Sequence, residues 1–147
     1  MKRILVIVFS LLSMSSIAQT ASAEAKAAYM LAEDAFAASD WKGTLSYLEE
    51  CKKLIGTPNS KILYLQILTE LELAKMDTAY NTAALKTIAA FEKAPDIKDF
   101  NEDKALEVMK SKIRLNRMLE TLEKDKLARE KKAAFALVRV SRTIPMN

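Results

Sequence analysis

The chain has no histidine, one cysteine, two glycines and three prolines in 147 residues. Without histidine, the side chain that most often shuttles protons near neutral pH is missing, and with it the commonest zinc ligand. A single cysteine, Cys51, excludes an intrachain disulfide, so the fold must be held by core packing. Two glycines are too few for a glycine-rich phosphate loop. The scarcity of helix breakers, beside abundant Ala, Leu, Lys and Glu, points to helix throughout. Long apolar runs are scarce as well. Ile4 to Leu12, broken by Ser10, falls short of the roughly 20 residues that a membrane span requires.

That apolar stretch follows Lys2 and Arg3 and leads into small residues ending at Ala21-Ser22-Ala23. Positive start, short apolar core and small-residue end are the marks of an export signal, so residues 1–23 are expected to be a signal peptide cleaved after Ala23, or after Ala18 in Ser16-Ile17-Ala18. No stable membrane insertion is expected after cleavage. Lys2 and Arg3 are two of the 23 basic residues; the 21 that remain face 19 acidic ones, a net charge of +2. Residues 24–123 hold 14 basic and 17 acidic side chains, and residues 124–147 hold seven and two. A mildly acidic domain is thus followed by a basic extension.

Helical periodicity organises the rest. Ala28, Leu31, Ala32, Ala35 and Phe36 form a stripe on a first helix, about Glu24 to Ser39. Asp40 is placed as the N-cap of a second, whose apolar face is Leu45, Leu48, Cys51, Leu54 and Ile55 and whose end is Gly56. After Thr57-Pro58, the stretch from Ser60 to about Met76 is apolar over most of its circumference and reads as the central helix. A fourth helix, with Tyr80, Ala84, Ile88 and Phe91 on one face, stops at Pro95. Asp99 and Glu102 have capping-box spacing and open a fifth, with Leu106, Met109, Ile113, Leu119 and Leu122 inward. Beyond Glu123 the pattern thins into either a helical extension or a linker.

Ala28, Leu31, Ala32 and Ala35, followed by Trp41, Thr44, Leu48 and Cys51 within "SDWKGTLSYLEEC", resemble the tetratricopeptide repeat, with its alternating large and small positions. A second, weaker match holds Tyr80, Ala83, Ala90 and Pro95, after a turn "KMDTAY" that is longer than the family's. The stretches "AKAAYMLAEDAF" and "GTPNSKILYLQI" also resemble exported helical-repeat proteins of Bacteroidetes-type bacteria. The resemblance implies an all-α fold of antiparallel helix pairs in a right-handed stack of about five helices, with these residues at packing positions. It places Trp41 against the first helix near Leu31 and Ala35, at least half buried. It also implies a concave side lined by the first helix of each pair, where Tyr29, Glu33, Tyr64 and Glu70 are candidates to meet a partner.

Chemistry finds little to work with. Cys51 sits where small residues pack and reads as a core side chain rather than a redox thiol. The acidic loop "DIKDFNED" lacks the ligand order and central glycine of a calcium loop, and reads as helix capping. The basic stretch from Lys124 to Arg142 is diluted by Asp125 and Glu130 and reads as a solvated helix end. Catalytic, metal and cofactor residues are therefore not expected, nor is a nucleic-acid partner. The expectation is a non-enzymatic scaffold binding a peptide or protein in the cell envelope, periplasmic or extracellular. An accessory module of a larger exported enzyme or complex, and a small periplasmic chaperone, are the alternatives.

Overall fold

The computed structural model describes residues 22–141, with side chains through 135. Residues 1–21 of the expected leader, with the alternative cut after Ala18, lie outside the described residues, whereas Ala23 lies in α1, described over residues 22–37. Next come α2 (Trp41–Ile55), α3 (Ser60–Ala74), α4 (Ala79–Phe91), a short 3-10 turn (Ile97–Asp99) and α5 (Glu102–Ser141). No strand occurs among the described residues, and the fold is all-α. The chain divides into two units, Met1–Val108 and Met109–Asn147, where sequence reading put the boundary at Glu123.

In the first unit, short connections leave consecutive helices antiparallel. The turn from α1 to α2 holds Ser39 in the left-handed region, φ 60°. Asp40 then caps α2, its Oδ1 accepting from the Gly43 amide at 2.9 Å. A Cβ on Gly43 would stand 2.0 Å from the other oxygen of that carboxylate, which would have to swing aside and give up the cap geometry. Gly56 ends α2 at φ 76°, the conformation that suits a residue without a Cβ. The cap of α3 is Asn59, whose Oδ1 accepts from the Ile62 amide at 3.1 Å. That of α5 is Asn101, accepting from the Lys104 amide at 3.0 Å. Asp99 lies instead in the 3-10 turn, because the chain must first close on Phe100 before α5 can start.

Packing follows the expected order, with α3 in the middle against α2 and α4. Ala25, Ala28 and Ala32 of α1 share a buried cluster with Leu48 and Cys51 of α2 and with Ile62 and Leu65 of α3. Alanines on that stripe let the helices approach closely, and Leu31, expected there, is 47% exposed. Trp41 is half-buried and meets Phe36 edge-on, with ring centroids 5.2 Å apart. On α4 the buried positions are Asn81, Ala84, Thr87, Ile88 and Phe91. Tyr80 and Ala83 are only half-buried, and Ala90 and Pro95 are exposed. Ala84, Ile88 and Phe91 are thus inward as their spacing predicts, while the four residues between α3 and α4 leave the repeat positions Tyr80, Ala83, Ala90 and Pro95 outside the core.

Loop residue Phe100 packs on Phe91 at 5.1 Å and on Tyr64 at 5.5 Å between ring centroids. Asp96 closes the other end, accepting from the Ser60 amide at 2.8 Å and the Ser60 hydroxyl at 2.7 Å. Partial burial pushes against the charge of Asp96, but those two hydrogen bonds and the ammonium of Lys61 hold its carboxyl below the usual range. The start of α5 is turned away from the expected register, with Val108 buried and Leu106 exposed. Leu106 and Val108 head two parallel stripes of the same spacing, and Val108 is the one that turns inward.

The second unit consists, among the described residues, of the remainder of α5. The expected extension is therefore helical, at least through Ser141. Leu115 is buried, while Ile113, Leu122, Leu127 and Phe135 are exposed. Every described side chain from residue 120 to 135 is exposed.

Candidate functional site

The first unit carries a groove of about 590 Å³ where residues 22–29 of α1 and the start of α3 meet the end of α2. That volume falls in the range of about 300–1,000 Å³ typical of binding pockets. Ser22 and Ala25 on α1 are too small to fill the space in front of Leu54, Ile55 and Ile62, which form its apolar wall. Lys26 of α1 and Lys61 of α3 stand on its border, with Asn59 beside the latter. None of the residues lining the groove is acidic.

Cys51 lies at the base, its Sγ donating to the Ala25 carbonyl at 3.2 Å and tying α2 to α1. Burial pushes this thiol up, which keeps it protonated and a poor nucleophile. Tyr29 lines the same groove. Its hydroxyl is pushed up to about 12, first by burial and then by the charge and hydrogen bond of Glu33 one turn along α1. It therefore stays neutral at physiological pH.

The four residues picked from the sequence as partner contacts separate in space. Tyr29 lies in the groove and Glu33 is joined to it. Tyr64 is elsewhere, donating to Glu107 Oε2 at 3.0 Å, with Lys104 5.3 Å from its ring centroid. Its hydroxyl too is pushed up to about 12, by burial and then by Glu107. Glu70 does not face outward: it is 4% exposed. Its Oε1 accepts from Gln66 Nε2 at 2.8 Å, and its Oε2 has no hydrogen-bond partner. Gln66 continues the network to Lys52 of α2 at 3.1 Å and to Thr87 of α4 at 3.2 Å. Burial raises the Glu70 carboxyl, against the hydrogen bonds of Gln66 and Thr87 and the charge of Lys52. The cause of its placement is α3 itself, whose circumference is enclosed on several sides.

Lys26, Lys61, Asn59, Leu54 and Ile55 did not stand out as site residues in the sequence. One signal was present. Lys26 and Lys61 are 35 residues apart, close to the period of the helix pairs. Lys61 also occupies the first turn of α3, where the helix dipole disfavours a cation. No cluster of His, Cys, Asp or Glu among the described residues is arranged to hold a metal ion, and no described helix is long and apolar enough to cross a membrane. Comparison with family models, curated proteins and solved structures finds no match to this chain.

Proposed function

We propose that this chain is a non-enzymatic helical scaffold of the cell envelope, tetratricopeptide-like in its first helix pair, that holds a peptide or a segment of a protein partner. The observation that carries the reading is the open, apolar groove formed by three successive helices, α1, α2 and α3. Grooves between helices accept apolar side chains of a partner segment, with polar groups at the border fixing its orientation. The groups within this groove favour holding over reacting: the thiol of Cys51 and the phenol of Tyr29 both have raised pKa values and stay protonated. The leader-like start of the chain supports export, to the periplasm or beyond.

Site-specific photo-crosslinking tests the scaffold reading. A benzoylphenylalanine at Ile55, on the groove, is compared with one at Lys86, exposed on α4. Discrete peptide or protein adducts are expected from position 55 and not from 86. Equal adducts from both positions, or none from 55, would overturn the assignment. Export is checked separately by the intact mass of the native protein, which should lack residues 1–23 or 1–18.

A further inference from the structure

The charge around the groove says more about what it holds. Residues 24–108 belong to a domain with more acidic than basic side chains, yet the groove is bordered by two lysines and lined by no carboxylate. Neither lysine forms an ion pair among the described residues, and Lys26 has no hydrogen bond there. Lys61 feels Asp96, but both oxygens of that carboxylate are engaged by Ser60. The start of α3 adds the positive end of its dipole, while the negative end of α2 is offset by Lys52 and Lys53 in its last turn. Glu33, joined to the groove through Tyr29, keeps its charge and lies seven residues along α1 from Lys26, about two turns away. A positive border on an apolar floor, within an otherwise acidic domain, is complementary to apolar side chains flanked by carboxylates.

On the reading of the groove as a peptide site, we infer that its partner is an acidic segment with apolar anchors. One or two large apolar side chains enter against Leu54, Ile55 and Ile62, and flanking Asp or Glu residues lie toward Lys26 and Lys61. Opposite charge at a rim raises association rate and selects partners more than it adds affinity. The selectivity should therefore be large and sensitive to salt.

The test uses residues 19–147, the form left by a cut after Ala18, which keeps Ser22 of the groove, and two tetramethylrhodamine-labelled peptides, Glu-Leu-Phe-Glu-Leu-Leu-Glu and its counterpart with Lys at each Glu. Fluorescence anisotropy is expected to show at least tenfold tighter binding of the acidic peptide at low salt. Lys26→Glu with Lys61→Glu should abolish or reverse that preference while circular dichroism stays unchanged. Lys26→Gln with Lys61→Gln provides a milder pair in case charge reversal disturbs folding, and should reduce the preference. Equal binding of both peptides, binding of neither, or a preference untouched by both lysine pairs would overturn the inference. Retained crosslinking from position 55 in that event leaves the scaffold reading standing, whereas loss of both defeats the two together.

Discussion

Ser39 and Trp41 are two residues apart and pull in opposite directions energetically. Ser39 holds a φ of 60°, a conformation costing an ordinary residue about 1–2 kcal/mol. Glycine escapes that cost but loses more chain entropy on folding, about 0.5–1 kcal/mol. Ser39→Gly is therefore expected to stabilise the protein by about 0.5–1 kcal/mol, measured as a higher urea midpoint with unchanged slope. Trp41 instead contributes. It is only half-buried, and its ring contact is with Phe36. Trp41→Ala should thus cost about 2 kcal/mol, less than the about 3–5 kcal/mol for a fully buried aromatic. Trp41→Tyr, which retains an edge-on partner for Phe36, should be mild, and crosslinking at position 55 should persist in both. Loss of crosslinking with stability intact would recast Trp41 as a contact residue. Its partial burial was legible in the sequence; its partner was not, because helical spacing places Leu31 and Phe36 near the same turn without fixing which one faces the ring.

Among the elements, α3 carries the main energetic conflict. Glu70 is buried between helices with one carboxylate oxygen unpaired, a cost of about 1–3 kcal/mol for an unsatisfied polar group. Its folded pKa is raised from 4.5, chiefly by burial. The sign follows by linkage: the folded form binds the proton more tightly, so its stability is fully present below the ordinary glutamate range and is lost as pH rises through the folded value. Glu70→Gln, which removes the buried charge, is expected to raise stability at pH 7, with the gap narrowing as pH falls toward the ordinary glutamate range. A gap independent of pH, read from denaturation midpoints across that window, would show that Glu70 does not titrate as described. The apolar circumference of α3 made its central position legible. The carboxyl buried within it was not, since Gln66, Thr69 and Glu70 alternate with leucines and carry no sign of which face is closed. Likewise, the first helix pair, its Asp40 and Gly56 boundaries and the Ala84, Ile88 and Phe91 face of α4 were readable from local chemistry, whereas the repeat register on α4 and the inward face of α5 depend on turn length and packing, which are tertiary matters.

For the molecule as a whole, stability should be unevenly distributed along the chain. From residue 120 to 135 no described side chain is buried, so that stretch of helix rests on its own hydrogen bonds and propensity, a marginal arrangement in water. α3 is protected by neighbours on several sides. Amides of residues 120–135 are expected to exchange with deuterium at least about 100-fold faster than those of Ile62 to Leu73, as local opening there exposes almost no apolar surface. The groove itself was not legible as a site, because its lining comes from the ends of three helices and its lysines are unremarkable one at a time. The enclosure of α3 also bears on how the chain is made. Synthesis runs from the N-terminus at about 5–20 residues per second, so α3 leaves the ribosome before α4 exists to cover it. For the seconds until Phe91 emerges, the face of α3 that packs on α4 has no cover, and the nascent chain exposes apolar surface that the finished fold hides.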